Sequence, residues 1–191
     1  MATTIQNFFA TAASKQFARD FLFRVNSIKL AGGVEINSTD TGTNNDLIYA
    51  RSAAMPGRTI ENKEVNYMGL TFNVPGRATY SNSAAYSIEF YADANCDLRE
   101  KLESASRAVF DDSTSTGKYG MPGPGEVINL QVINKDLKAV PNGNIRLVGA
   151  SIREIGDIGY NIADGTGEVV NFPVSFAYHY YVMGRHGAER R

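Results

Sequence analysis

The stretch AMPGRTIENKEVNYMGLTFNVPGRATYSNSAAYSIEFYAD, residues 54–93, decides how the fold of this chain is interpreted. The triplet Pro-Gly-Arg occurs in it twice, at residues 56–58 and 75–77, with Met68 and Gly69 between the two. We interpret both triplets as turns and the pair Met68-Gly69 as the tip of a β-hairpin, because glycine adopts the positive φ that such a tip requires. The two strands are only partly apolar, so the hairpin has little core of its own.

Length and charge exclude several classes of protein. The 191 residues suffice for one large domain, which buries about 70% of the surface that its unfolded chain exposes. The 19 basic and 20 acidic residues nearly cancel, which argues against nucleic-acid binding by bulk charge and reduces repulsion between copies. There is no signal-peptide pattern and no run of about 18 apolar residues. We therefore expect a soluble, cytoplasmic protein without membrane insertion.

Alternating hydrophobicity predicts a mainly β fold. The segment VVNFPVSFAYHYYV, residues 169–182, alternates throughout and predicts one long half-buried strand. The segment YSIEFY, residues 86–91, repeats the pattern with Tyr86, Ile88 and Phe90 on the inner face. Further strands are predicted within residues 20–30, 47–53, 58–67, 70–76, 127–134 and 145–156. Such a series of short strands is typical of an antiparallel β-barrel or sandwich.

One helix is predicted against this background, within residues 93–112. Leu98, Leu102, Ala105 and Val109 recur at helical spacing, so this face should lie on a sheet. The flanking helix completes the predicted fold class.

No residues predict a catalytic, cofactor-binding or metal site. His179 and His186 do not have the spacing of metal ligands, and the single cysteine, Cys96, excludes an intrachain disulfide and a cysteine-based zinc site. No nucleophile, base and orienting group occur in a recognisable pattern. We therefore predict that the protein is not an enzyme and needs no cofactor.

The order of segments resembles a known family. The run from YARSAAMPG through VNYMGLTFNVPG, the strand YSIEFYAD and the helix LREKLESASRAV, together with FARDFLFRV and VNFPVSFAYHYY near the two ends, resemble the tail tube proteins of contractile-tailed bacteriophages. The resemblance covers residues 17–182. The chain departs from it in having no Trp, an extended loop at 31–46 and a basic tail at 184–191.

The resemblance implies a tail-tube domain over residues 1–191, with a mobile loop and tail. It implies six-membered rings of identical subunits that stack helically into a hollow tube inside a contractile sheath, within the virion tail, after synthesis in the host cytoplasm. The implied partners are the sheath, baseplate and tail terminator proteins, and DNA passes through the lumen without sequence-specific binding. A type VI secretion-like tube protein is a related alternative, and a β-sandwich module binding carbohydrate or protein is a different one.

On this interpretation the hairpin is the stacking element. Its contact residues would be Val65, Tyr67, Met68, Gly69, Leu70 and Phe72. Neighbouring subunits would then satisfy strand edges and apolar side chains that the monomer leaves exposed. The alternative is that Tyr67, Leu70 and Phe72 belong to the core of a monomeric sandwich.

Two further surfaces are predicted. A pore for DNA should avoid rows of phosphate-binding cations. The polar strand positions Ser87, Glu89, Asn171, Ser175 and His179 include no Lys or Arg, so they are candidates to face the lumen. The tail residues Arg185, Arg190 and Arg191 are candidates to contact the sheath. The alternatives are ordinary solvated strand faces and a disordered terminus.

Overall fold

The computed structural model describes residue 5 and residues 20–37, 50–160 and 167–184. Helix α1 (Asp97–Val109) and a 3₁₀ turn (Ala31–Gly33) accompany a series of strands. The strands are β1 (Phe23–Lys29), β2 (Glu35–Asn37), β3 (Ala50–Ala53), β4 (Arg58–Tyr67), β5 (Leu70–Tyr80), β6 (Tyr86–Tyr91), β7 (Phe110–Asp111), β8 (Thr116–Gly117), β9 (Val127–Ile133), β10 (Ala139–Val148), β11 (Ser151–Ile155), β12 (Asn171–Ala177) and β13 (Tyr180–Met183).

Two antiparallel sheets form the body of the molecule. The large sheet has the strand order β13-β10-β9-β1-β2, and the small sheet has the order β11-β12-β6-β3. Strands β4 and β5 form a separate hairpin, as do β7 and β8. The predicted mainly β fold with a flanking helix is therefore confirmed. Over the described strands the two sheets form an open sandwich and do not close into a barrel.

The core of the sandwich follows the predicted alternation. Tyr86, Ile88 and Phe90 of β6 pair with residues 176, 174 and 172 of β12, and every one of these side chains is at most 2% exposed. Strands of the large sheet supply the opposing side, including the fully buried Ile28 and Leu147. Two apolar sheet faces thus bury each other within one subunit.

The predicted strand over 169–182 is wrong in one respect, because the chain breaks it at Tyr178 and His179. The strand predicted within 145–156 breaks in the same way, at Gly149 and Ala150. At both corners the chain leaves one sheet for the other, with β10 and β13 paired in the large sheet and β11 and β12 paired in the small one. The His179 amide donates to the Val148 carbonyl at 2.9 Å and joins the corners. Gly149 supplies a φ of +69° there.

Helix α1 packs beside the 3₁₀ turn and β11 with its predicted face inward. Leu98, Leu102 and Ala105 are at most 1% exposed. The Asp93 carboxylate accepts a 2.9 Å hydrogen bond from the amide of Asp97 and caps the first turn. The Arg99 guanidinium donates to the Gly156 carbonyl at 3.0 Å, which fixes the helix beside β11.

The 3₁₀ turn begins the predicted loop at 31–46 and packs on α1. Gly32 and Gly33 have φ values of +78° and +75°. A Cβ on Gly32 would lie 2.5 Å from the Cβ of Ala108, whereas a Cβ on Gly33 would meet nothing within 4 Å. Residues 35–37 then form β2, and residues 38–46 lie outside the described part of the chain.

These two glycines offer a matched test of how α1 docks. Gly33→Ala adds only the strain of positive φ, about 1–2 kcal/mol. Gly32→Ala adds the same strain and an overpacked contact with the helix, which costs about 1–3 kcal/mol more. Urea unfolding of both variants measures the difference directly. Equal free energies of unfolding for the two would show that the close approach of the turn to α1 does not contribute to stability.

Candidate assembly surface

The hairpin of β4 and β5 stands apart from the sandwich. Every residue from Arg58 to Arg77 is exposed, including the two at the tip. Met68 and Gly69 have φ values of +50° and +79° and form a two-residue tip of the type I′ class, since both central residues have positive φ. The predicted hairpin and its tip are confirmed.

The second Pro-Gly-Arg triplet is a bulge and not the predicted turn. Ile60 pairs with Ala78 and Asn62 pairs with Pro75, so Gly76 and Arg77 together lie opposite Glu61. Strand β5 therefore continues through the triplet to Tyr80.

Two contacts of Glu61 shape this bulge. A Cβ on Gly76 would lie 2.9 Å from the Glu61 carbonyl oxygen, so a side chain would crowd the partner strand. The Arg77 guanidinium donates to both carboxylate oxygens of Glu61, at 2.7 and 3.1 Å. These bonds hold the pKa of Glu61 below its usual range. This exposed ion pair links the two strands at the bulge, where their hydrogen-bonded ladder is interrupted.

The pairing register makes the hairpin amphipathic. Val65 pairs with Phe72 and Tyr67 pairs with Leu70, and paired side chains share one face of an antiparallel ladder. The apolar hairpin face comprises Lys63, Val65, Tyr67, Leu70, Phe72 and Val74. The polar hairpin face comprises Asn62, Glu64, Asn66, Thr71 and Asn73. Sequence reasoning selected four of the six residues of the apolar face and missed Lys63 and Val74, whose pairing places them beside Val65 and Phe72.

Nothing in the described part of the subunit covers the apolar hairpin face. Its five apolar side chains are between 48% and 65% exposed, and Met68 at the tip is 85% exposed. Strands β4 and β5 make their extensive contacts with each other, and each leaves its outer edge without a strand partner among the described residues. Isolated two-stranded hairpins are marginally stable in water, and exposed edges favour pairing with another chain.

Two buried tyrosines hold the base of the hairpin against the sandwich. The Tyr86 hydroxyl donates to the Ala54 carbonyl at 2.5 Å, and the Tyr178 hydroxyl donates to the Ser81 carbonyl at 2.9 Å. Their rings meet edge to face with centroids 6.0 Å apart. Burial raises the pKa of both phenols above the ordinary range. Because Ala54 precedes β4 and Ser81 follows β5, both ends of the hairpin are fixed to the core.

Four of the five residues predicted to line a lumen lie together on the small sheet. Ser87 pairs with Ser175, and the Asn171 amide donates to the Glu89 carboxylate at 2.7 Å. His179 is separate, because it lies in the corner between β12 and β13. We refer to the outer face of the small sheet as the surface formed by Arg51, Ser52, Ser87, Glu89, Glu154, Asn171 and Ser175, where Glu154 of β11 pairs with Ser175.

Sequence reasoning missed the cation on this surface. Arg51 donates to the Glu89 carboxylate at 3.1 Å, and its guanidinium lies 5.9 Å from the centre of the Tyr91 ring. It occupies an irregularity in the pairing of β3 with β6, between Ala50 and Ser52, and period two does not indicate where such a residue points. The outer face of the small sheet thus carries Arg51 paired with Glu89, and Glu154 adds a second carboxylate.

The residues predicted to contact the sheath lie in the C-terminal tail. Arg185, Arg190 and Arg191 lie beyond residue 184, outside the described residues.

Within the described ranges, no cluster of three or more His, Cys, Asp or Glu side chains is arranged to hold a metal ion. Among the described helices, none combines the length and apolar character needed to cross a membrane.

Comparison with known proteins shows the fold. No family model matches the chain, and no curated protein matches its sequence. A chain of the anti-feeding prophage baseplate aligns with a TM-score of 0.57 at 14% identity, over 88% of this chain and 96% of that one. A chain from the sheath/tube terminator of PVC, an extracellular contractile injection system, aligns with a TM-score of 0.56 at 8% identity, over 89% and 98%.

A chain of the anti-feeding prophage cap, which terminates the tube, aligns with a TM-score of 0.56 at 10% identity, over 88% of this chain and 91% of that one. The three matched proteins are a baseplate chain, a sheath/tube terminator chain and a tube-terminating cap chain, and each match spans more than 90% of that chain. The present chain therefore has the tail-tube-like fold that its sequence resemblance implies.

The tyrosine anchors generate a prediction about the hairpin. Tyr86→Phe and Tyr178→Phe each remove one hydrogen bond to the hairpin base and should lower the free energy of unfolding by about 1 kcal/mol. Amide hydrogen exchange in residues 58–80 should also accelerate. Tyr160→Phe, at a side chain that is 70% exposed, serves as the matched control and should change neither quantity. Unchanged exchange in both anchor variants would show that the hairpin base is held by other contacts.

Proposed function

We propose that this protein is a structural subunit of the tube of a contractile tail, and that it assembles with copies of itself into stacked six-membered rings. The observation that carries the proposal is the apolar hairpin face, which projects from a completed sandwich and has no cover in the described part of its own subunit. The tail-tube-like fold also supports the proposal, since components of contractile assemblies share it.

Self-assembly accounts for features that a monomer would not need. A soluble monomer usually blunts the edges of its strands with charge, bulges or short length. Here the bulge and the Glu61–Arg77 pair lie toward the base, whereas the outer half of the hairpin presents apolar side chains and unpaired edges. A second copy can cover that face and extend the ladder, as in other cases of strand addition. The near-zero net charge leaves little repulsion between copies.

The outer face of the small sheet is our candidate for the lumen wall. Its Arg51 is paired with Glu89, so its charge is locally balanced and offers phosphate groups little net attraction. DNA would then pass without sequence-specific binding and without a row of cations to slow it. His179 stays a candidate to face the lumen, but it lies at the corner between β12 and β13 and not on the sheet face.

A subunit of the tail tube would contact other tail proteins. We propose a sheath protein outside the tube, with Arg185, Arg190 and Arg191 as the contacting residues, and baseplate and terminator proteins at the two ends. The subunit acts as one tail-tube domain over residues 1–191 and has no catalytic role. It would be made in the host cytoplasm and function in the virion tail.

A substitution at the tip tests the proposal. Met68→Asp places a carboxylate where another copy would bury the Met68 side chain, at a cost on the order of several kcal/mol per interface. The monomer should tolerate it, because Met68 is exposed and Asp adopts positive φ more readily than most residues. We expect a folded protein by circular dichroism that forms no long tubes in negative-stain images, under conditions where the unaltered protein does.

Neighbouring positions on β5 provide the control. Phe72→Asp adds its carboxylate to the apolar hairpin face, whereas Asn73→Asp adds the same group to the polar hairpin face. We expect only the first to block assembly. Normal tubes from both Met68→Asp and Phe72→Asp would exclude the hairpin as the assembly element, and unfolding of both would place it in the core of the monomer.

A further inference from the structure

An apolar groove opens on the large sheet beside the base of the hairpin. Its volume is about 290 Å³. Its apolar lining includes Leu22, Phe23, Met55, Leu130, Val132 and Ile145. Asp20 lies at the same groove and is exposed to solvent. The second polar residue of the lining, Gln131, already accepts hydrogen bonds from Arg24 and Asn26, at 2.9 and 3.2 Å.

The hairpin of the same subunit does not occupy this groove. The extensive contacts of β4 and β5 are with each other, and none of their residues lines the groove. The groove wall at Ala53–Met55 leads directly into the hairpin, whose base is held by the hydrogen bond from Tyr86 to Ala54, so the two surfaces lie side by side on one molecule. Among the residues that the structure describes, one subunit therefore presents both an uncovered apolar hairpin face and an open apolar groove.

We infer that the apolar hairpin face of one copy docks in this groove of a second copy, with Lys63 of the first beside Asp20 of the second. This inference rests on the proposed function and names the surface that receives the hairpin. Size agrees, since a cavity of about 150 Å³ accommodates a benzene ring, so the groove has room for roughly two large side chains. The cross-strand pairs Val65–Phe72 and Tyr67–Leu70 supply such side chains.

Charge complements the apolar fit. Lys63 is the charged member of the apolar hairpin face, on the strand position two residues before Val65. Asp20 is the charged residue of the groove lining. A cation at the margin of one apolar surface and an anion at the margin of the other set the register of docking more than its strength.

A contact of this kind is heterologous, because the two surfaces differ. Each copy both donates a hairpin and accepts one, so the contact repeats until it closes into a ring or continues as a helical stack. A two-fold dimer, in which hairpins pair with each other, would instead end after two copies.

Crosslinking between two single-cysteine proteins tests the pairing. Both carry Cys96→Ser, and one adds Val65→Cys on the hairpin while the other adds Met55→Cys in the groove; these side chains are 49% and 55% exposed, so the fold should persist. After assembly of the mixture, a short bismaleimide should join Val65→Cys to Met55→Cys. A product joining two Val65→Cys chains as the main species would overturn the inference in favour of paired hairpins.

Charge reversal gives an independent readout. Lys63→Glu and Asp20→Lys should each raise the concentration needed for assembly about tenfold, and the double variant should restore it. Glu64→Lys, on the polar hairpin face, is the control and should have little effect. If the unaltered protein assembles but neither the mixed crosslink nor the restoration occurs, the groove is not the receiving surface and the proposed function stands. If the unaltered protein never assembles, both proposals fail.

Discussion

The constraint on which the rest of the structure depends is that β4 and β5, from Arg58 to Arg77, bury almost nothing against the described residues of their own subunit. The two sheets and α1 already bury each other, with side chains such as Phe90, Leu102 and Val174 fully enclosed. Under the proposed function, folding and assembly are separated in the chain. The two sheets and α1 form the core, and the hairpin gains its stabilising contacts when a second copy covers it.

The proposed assembly requires a rigid connection, because an interface repeated around a ring multiplies any error in the angle of the hairpin. The phenols of Tyr86 and Tyr178 provide it by bonding to backbone carbonyls on both sides of the hairpin. Tyr178 lies at the corner where the chain passes between sheets, next to the hydrogen bond from His179 to Val148. The elements that shape the sandwich therefore also orient the hairpin.

Sequence reasoning correctly predicted the features that local residue patterns determine. The bounds of β4 agree with the structure, the alternation around Ile88 and Val174 identified the core, and helical spacing identified the buried face of α1. It did not recover the corner at Tyr178, because the alternation of buried side chains continues to that residue while the chain changes sheets. It also missed Arg51 and interpreted Gly76 as part of a turn, because both residues occupy β-bulges. At a bulge the strand pairing, and not the alternation of the sequence, decides which way a side chain points.

Amide hydrogen exchange, compared between dilute monomer and concentrated protein, tests most directly whether another copy covers the hairpin. In the dilute sample, peptides within residues 58–80 should exchange fast, and the peptide covering β6, residues 86–91, should exchange slowly. With assembly, exchange should slow markedly in the hairpin and stay unchanged in β6. Assemblies in which residues 58–80 exchange as fast as in the monomer would contradict the account, because the copies would then be joined through another surface.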